Sequence, residues 1–225
     1  MAEDDRDRLS TGVAGLDRER RLGGIPAGTT IGVVSPPLSM AYLLGYHLFE
    51  TGRQTRYVTT TRRAADVEAD VERSVSGPVA DGSGVVDLRG KLGRLPDPVV
   101  EQLDGLSAGA NFVLDTATAL KGVRAGGGSF DEYRQTVRTI QSATYERGGL
   151  SYVYFVAPDL DGLDREEWEL LHALDGAFVV THNPTDQDVE SYLHVHKLRD
   201  VDPNETAFKL EFDSRASVDP SENIG

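Results

Sequence analysis

Apolar and polar positions alternate along this chain in two periods, and the switches between them divide it into elements. Thr30 to Val34 is a short apolar run that breaks at Ser35-Pro36-Pro37, and an apolar helical pattern follows from Ser39 to Glu50, with Gly52 placed to cap its end. Arg56 to Thr60 is β-branched and aromatic and predicts a second strand. Arg63 to Ser76 carries Ala65, Val67, Val71 and Val75 on one side of a polar helix closed by Gly77-Pro78. Val85 to Leu88 predicts a third strand, and Pro96 to Ser107 a helix with Val99, Val100, Leu103 and Leu106 at helical spacing.

The second half repeats this alternation. Asn111 to Asp115 predicts a buried strand ending in a carboxylate, and Lys121 to Ser129 a mobile glycine-rich loop. Ser129 and Glu132 have capping-box spacing at the start of a helix running to Arg147. Ser151 to Ala157 and Gly176 to Thr181 predict strands. Between them lies a helix over Asp164 to Leu174, with a capping box of Asp164 and Glu167 and a hydrophobic staple of Leu163 and Trp168. Val189 to Leu198 and Ala207 to Phe212 alternate and are joined through Arg199 to Thr206 as a hairpin. Strands alternating with helices predict an α/β fold, a largely parallel sheet flanked by helices, with a C-terminal β-hairpin. One domain is expected over 11–213, between a flexible acidic tail at 1–10 and a flexible tail at 214–225.

Charge changes this picture more than composition does. The 225 residues carry 37 Asp and Glu against 23 Lys and Arg, a net charge of −14, with only four lysines among the cations. Such a surface suits a salt-rich cytoplasm of the kind halophilic archaea maintain, where salt at 1 M screens charges beyond about 3 Å; an ordinary acidic protein is the plainer alternative. Direct nucleic-acid contact is disfavoured. There are no cysteines, and no apolar run reaches the roughly 20 residues that cross a bilayer. The first ten residues have no apolar core, so no signal peptide is read there, and a cytoplasmic location without membrane contact is expected.

A strand, a tight turn and a helix from Thr29 to Glu50 form the frame of a phosphate-binding loop. The run STGVAGLDRERRLGGIPAGTTIGVV ahead of it, NFVLDTATAL further on and HVHKLRD near the end occur in the order found in RecA-like ATPases. On these motifs the chain resembles the KaiC and archaeal RadA-like branch of that superfamily over nearly its whole length. The resemblance implies the RecA-like, P-loop NTPase fold. It also implies a loop of the form G-P-P-G-x-G-K-T, and here the same place reads Ser35-Pro36-Pro37-Leu38-Ser39-Met40-Ala41-Tyr42. Ser35, Leu38 and Met40 stand for the three glycines, Ala41 for the phosphate-binding lysine and Tyr42 for the hydroxyl that holds magnesium. Thr61 stands where the family has a catalytic Glu, and no carboxylate follows before Asp66.

The resemblance therefore implies a non-catalytic pseudo-ATPase without ATP or magnesium. Such a protein would work as a regulatory or accessory module on a protein partner, a homologous RecA-like subunit or another copy of itself. Its setting would be signalling or DNA repair and recombination. The alternative is a nucleotide-binding ATPase with an atypical loop. Asp115 matches the family's magnesium-bearing Asp and otherwise reads as a structural carboxylate. Lys197 and Arg199 match a pair that can reach a neighbouring subunit and otherwise read as a charged strand end. His194 and His196 share a strand face near His182, but spacing assigns no third metal ligand, so ordinary histidines are expected and no metal. Ser35, Ser39 and His47 lack a nucleophile elbow and a fixed acid, which discounts hydrolase chemistry. Near the glycine run Gly126 to Gly128 only Lys121 and Arg124 are cationic, thin for phosphate contacts.

Overall fold

A computed structural model describes residues 7–13, 15–18, 22–126, 130–184, 189–199 and 207–218. Two short strands open the chain, β1 (Arg8–Leu9) and β2 (Ile25–Pro26), paired antiparallel with each other. Then come β3 (Thr29–Ser35), α1 (Tyr42–Tyr46) continuing as a 3-10 turn over His47–Glu50, β4 (Thr55–Thr59), α2 (Ala64–Ser74) and β5 (Gly84–Asp87). A 3-10 turn at Leu92–Arg94 leads to α3 (Asp97–Asp104) and β6 (Asn111–Asp115). A longer 3-10 stretch at Ala117–Gly126 leads to α4 (Phe130–Arg147) and β7 (Leu150–Val156). The chain ends with α5 (Arg165–Ala173), β8 (Gly176–Pro184), β9 (Val189–Leu198), β10 (Ala207–Phe212) and β11 (Ala216–Val218).

Nine strands form one sheet in the order β11-β10-β9-β8-β3-β7-β6-β4-β5. From β8 to β5 every neighbouring pair is parallel, and β9, β10 and β11 add antiparallel neighbours beyond β8. This is the largely parallel sheet with a C-terminal hairpin that the alternation predicts. Both faces are covered, which is why β3, β6 and most of β7 read as continuous apolar runs. Ile31 and Val33 join the core under α1 and α2, while Val34 joins the core under α3, α4 and α5. Gly32 sits between them because a Cβ there would meet Leu171 Cδ1 at 2.3 Å, so glycine lets α5 lie directly on β3.

Several elements differ from expectation. The first helix spans Tyr42–Tyr46 and then tightens, where the apolar pattern predicts Ser39 to Glu50. The carbonyl of Leu48 is taken by side chains, accepting from Thr51 Oγ1 at 2.7 Å, Thr55 Oγ1 at 3.0 Å and Asn111 Nδ2 at 3.1 Å. Together with the Thr51 amide at 3.3 Å, these donors occupy the carbonyl that a further helical turn would use. The predicted mobile loop is a 3-10 stretch as far as Gly126. Lys121 in that stretch pairs with Asp164 at 2.8 Å and Glu167 at 2.6 Å. Gly127, Gly128 and Ser129 lie outside the described residues, and so does the capping box expected at Ser129.

Both expected tails contain structure. Arg8–Leu9 is a strand within 1–10, and Ala216–Val218 is a strand within 214–225, with Ala216 and Val218 buried. Alternation over three residues is too short to read as a strand; pairing with β10 supplies the order. The capping box of α5 is present, Asp164 accepting from Glu167 N at 2.9 Å and Glu167 from Asp164 N at 3.3 Å. Leu163 is buried and Trp168 is 42% exposed.

Candidate functional site

The carboxyl ends of β3, β7, β6 and β4 lie side by side, and the loop Ser35 to Tyr42 leaves the sheet there. Ser35 is buried, and its carbonyl accepts from Ala157 N at 3.0 Å. Pro36 and Pro37 have no N–H to offer. Ser39 N is spent on Pro36 O at 3.2 Å, Ala41 N on Ser39 Oγ at 3.3 Å and Leu43 N on Met40 O at 3.0 Å. Leu38 has a φ of 64° and a fully exposed side chain. Ala41 is fully buried and its carbonyl accepts from Tyr154 OH at 3.2 Å. Met40 and Tyr42 pack against the core. The loop thus turns the amides of Ser39 and Ala41 on itself and its apolar side chains into the protein or into water.

Tyrosines fill the space behind it. The Tyr46 ring lies 5.3 Å from the rings of both Tyr42 and Tyr57, and Gly45 brings α1 close to Tyr154, Tyr57 and Val113. Tyr57 OH donates to Asp115 Oδ2 at 2.6 Å, a bond from β4 to β6 inside the sheet. Burial raises the Asp115 pKa above the ordinary range, while the Tyr57 bond and the Arg62 charge pull it back. Burial also raises the Tyr46, Tyr57 and Tyr154 phenols, so they remain protonated donors. Thr60 and Thr116 lock the next residues: Thr60 N donates to Asp115 O at 2.7 Å, and Thr116 N to Thr60 Oγ1 at 2.7 Å. Asp115 is thus engaged by Tyr57 at its carboxylate and by Thr60 at its carbonyl.

Arg62 reaches this region, and sequence reasoning did not single it out. Arg62 Cζ lies 5.5 Å over the Tyr42 ring, Nη1 donates to Tyr46 OH at 2.9 Å, and Nη2 pairs with Asp70, which also pairs with Arg73. Thr61 beside it is exposed, and Asp66 is engaged by Arg63 at 2.8 Å. A cavity of about 140 Å³ lies beside Met40, Tyr42, Leu43, Asp70 and Arg73. Ligand pockets are typically about 300–1,000 Å³.

The other candidates lie elsewhere. Leu198 pairs with Gly176 at the amino end of β8, so Lys197 and Arg199 are at the opposite edge of the sheet from Ser35 to Tyr42. Lys197 Nζ caps α5, donating to His172 O at 2.7 Å and Leu174 O at 2.6 Å, and Arg199 pairs with Asp175 at 3.2 Å. His194 meets Thr181 Oγ1 at 3.1 Å and His182 meets Ser191 Oγ at 2.9 Å. Among the described residues no group of three His, Asp or Glu is placed to hold a metal ion, and no helix is long and apolar enough to cross a membrane. The Arg124 side chain lies outside the described residues.

His47 is separated from Ser35 and Ser39 by the whole of α1 and belongs to a different construction. It is buried, with Nδ1 on Glu50 Oε2 at 2.8 Å and Nε2 accepting from Ala216 N at 2.9 Å. Glu50 further accepts from Ser76 N at 2.8 Å and Arg215 Nη2 at 2.6 Å. This clasp ties the end of the first helix to the last strand, and Gly12 packs so closely that a Cβ would meet His47 O at 2.1 Å. No local pattern announces it.

The model of DUF7125, a family of unknown function, matches residues 8–225. The chain belongs to that family. No curated protein matches this DUF7125 member. Among solved structures it is similar to the KaiC-like protein PH0186 of the hyperthermophilic archaeon Pyrococcus horikoshii OT3. The identity is 17%, the TM-score is 0.75, and the match covers 96% of this chain and 100% of that one. At that identity the likeness establishes the fold, which is the KaiC-like, RecA-type fold.

Proposed function

We propose that this DUF7125 protein is a non-catalytic member of the RecA/KaiC-like fold, a pseudo-ATPase that acts as a regulatory or accessory module by binding a partner protein. The observation that carries the reading is Ala41. The position that would grip the outer phosphates is a methyl group buried in the core, with its carbonyl bonded to Tyr154. Asp115 supports it, because the oxygen that would serve magnesium through water is engaged by Tyr57 at 2.6 Å. A lysine at position 41 would have to be desolvated among tyrosines, a cost that an intact loop avoids by keeping the site open.

The test is titration calorimetry with ATP and magnesium in concentrated KCl, the salt suited to so acidic a surface. No binding heat is expected. Micromolar, magnesium-dependent affinity would overturn the reading. It would favour instead an ATPase in which Arg62 supplies the missing positive charge, and turnover abolished by Asp115→Ala would establish that alternative.

A further inference from the structure

Leu38 combines two features that folding alone does not favour. Among the described residues it is the one non-glycine position with positive φ, at 64°, where a Cβ crowds the backbone. Its side chain is nevertheless wholly in water, at 103% relative exposure. A strained backbone that presents an unburied leucine behind two prolines is a rigid apolar knob.

Trp168 stands on the same edge of the molecule. β3 and β7 run parallel and end together at Ser35 and Val156, so the knob and the chain leading to α5 leave the sheet side by side. Leu171 lies directly on Gly32 of β3. Trp168 is one turn nearer the carboxyl edge, about 5 Å along the helix, and is 42% exposed. The frame around it is acidic: from Asp159 to Glu169 there are six carboxylates and one arginine, of which Asp164 and the buried Glu167 pair with Lys121 and Glu169 pairs with Arg165. Asp159 and Asp161 are exposed, and among the described residues no cation pairs with either.

Interfaces concentrate their energy in a few such anchors, aromatic ones above all, and the surrounding charge selects the partner. A second copy would bring the same acidic frame to the contact and be repelled. We infer that Leu38 and Trp168 are the apolar centre of a docking surface for a basic partner protein, one that presents an apolar patch ringed by Lys and Arg. The inference rests on the partner-binding reading above and names the surface and the partner's chemistry.

Trp168 is the sole tryptophan, so its emission reports on the surface directly. The probe is a fluorescent amphipathic helical peptide of leucine and lysine, with the leucine–glutamate peptide as its charge-reversed control. Saturable anisotropy and a blue shift of Trp168 are expected with the lysine peptide. Affinity should be about tenfold lower or worse for the glutamate peptide and for the Leu38→Gly variant, in line with loss of an interface anchor. Leu38→Gly removes the knob and suits the positive φ, so a retained melting profile shows that the loss is not misfolding.

Equal affinity of Leu38→Gly, equal affinity for the glutamate peptide, or no binding of the lysine peptide would overturn the surface. A Trp168 shift that follows protein concentration alone, with dimers in sedimentation, would assign the surface to a second copy and also overturn it. The ATP titration separates this inference from the reading beneath it. Nucleotide binding sinks that reading whatever the peptide does, and a silent titration without peptide binding sinks only the surface.

Discussion

The two ends of the short helix α1 and its 3-10 extension treat polarity in opposite ways. At the beginning, the capping residue is Ala41, without a side-chain cap, and the loop before it carries an exposed Leu38 and a half-buried Met40. At the end, His47 and Glu50 draw in Ser76, Arg215 and the Ala216 amide, so three distant segments close on one buried polar centre. The first end is an uncapped helix start behind a largely apolar loop. The second uses polar groups to hold the fold together. Position in a recognisable motif is therefore a poor guide to what a residue contributes to stability here, and partner geometry is a better one.

The largest expected effect comes from opening the clasp. His47→Ala deletes a buried ring, orphans the Ala216 N–H and leaves Glu50 without one partner. Together these should cost about 3–4 kcal/mol of unfolding free energy in urea titrations. His47→Gln should cost less, because its amide oxygen can still accept from Ala216, and it cannot titrate. Burial holds the His47 pKa below its ordinary value of 6.5. Its neutral form is also the one whose Nε2 can accept from Ala216. The unfolded chain thus binds more protons than the folded one near that value. The contribution of His47 is complete above pH 6.5 and is lost as pH falls through it toward the lower folded pKa. Glu50 and Arg215 face the same ring and shape this shift. Wild type should therefore lose more stability than His47→Gln between neutral and mildly acid pH. Parallel slopes for the two proteins would show that the clasp does not titrate.

At the other end, the expected cost is smaller and lies behind the loop. Tyr57→Phe removes the donor on Asp115 Oδ2 and leaves a buried carboxylate short of one bond, which should cost about 1–3 kcal/mol. Burial already raises the Asp115 pKa, so its charged form is the penalised one. The Tyr57→Phe defect should shrink as pH falls and Asp115 protonates, and adding Asp115→Asn should recover part of it at neutral pH. Urea titrations of the single and double variants decide the matter. A defect that is the same at all pH values would mean the tyrosine hydroxyl does not serve Asp115.

How far these two ends were legible in the sequence follows from the range of the interactions that build them. The strand Asn111–Asp115 is found at its expected residues, and the Asp164/Glu167 capping box is found as its spacing predicts, because both are encoded within a few positions. The departure of the loop Ser35 to Tyr42 from the pattern G-P-P-G-x-G-K-T is legible for the same reason, within eight consecutive residues. That the space behind it is filled by Tyr46, Tyr57 and Tyr154 was not visible, since those rings come from α1, β4 and β7. Nor was the clasp, whose His47 and Ala216 are 169 positions apart. The strand β11 was missed with it, because three residues next to a polar stretch carry no periodicity of their own. Lys197 and Arg199 were legible as a charged pair, but their α5 and Asp175 partners come from sheet pairing that places them far from the loop.

The smallest expected effect is at Leu38, and it sharpens the comparison most. In the left-handed region a side chain costs roughly 1–2 kcal/mol, so Leu38→Gly relieves strain at φ 64° and loses no buried contact. Glycine also gives the unfolded chain more freedom, which offsets about 0.5–1 kcal/mol of that gain. The net change should be between zero and about 1 kcal/mol of stabilisation, read as an unchanged or slightly higher melting temperature. The clasp end would then lose several kcal/mol from one substitution while the loop end loses nothing, although both flank the same helix. A clear destabilisation by Leu38→Gly would mean that the leucine is held by contacts of this chain's own, and it would remove the reason to see the loop as a surface kept for something outside the fold.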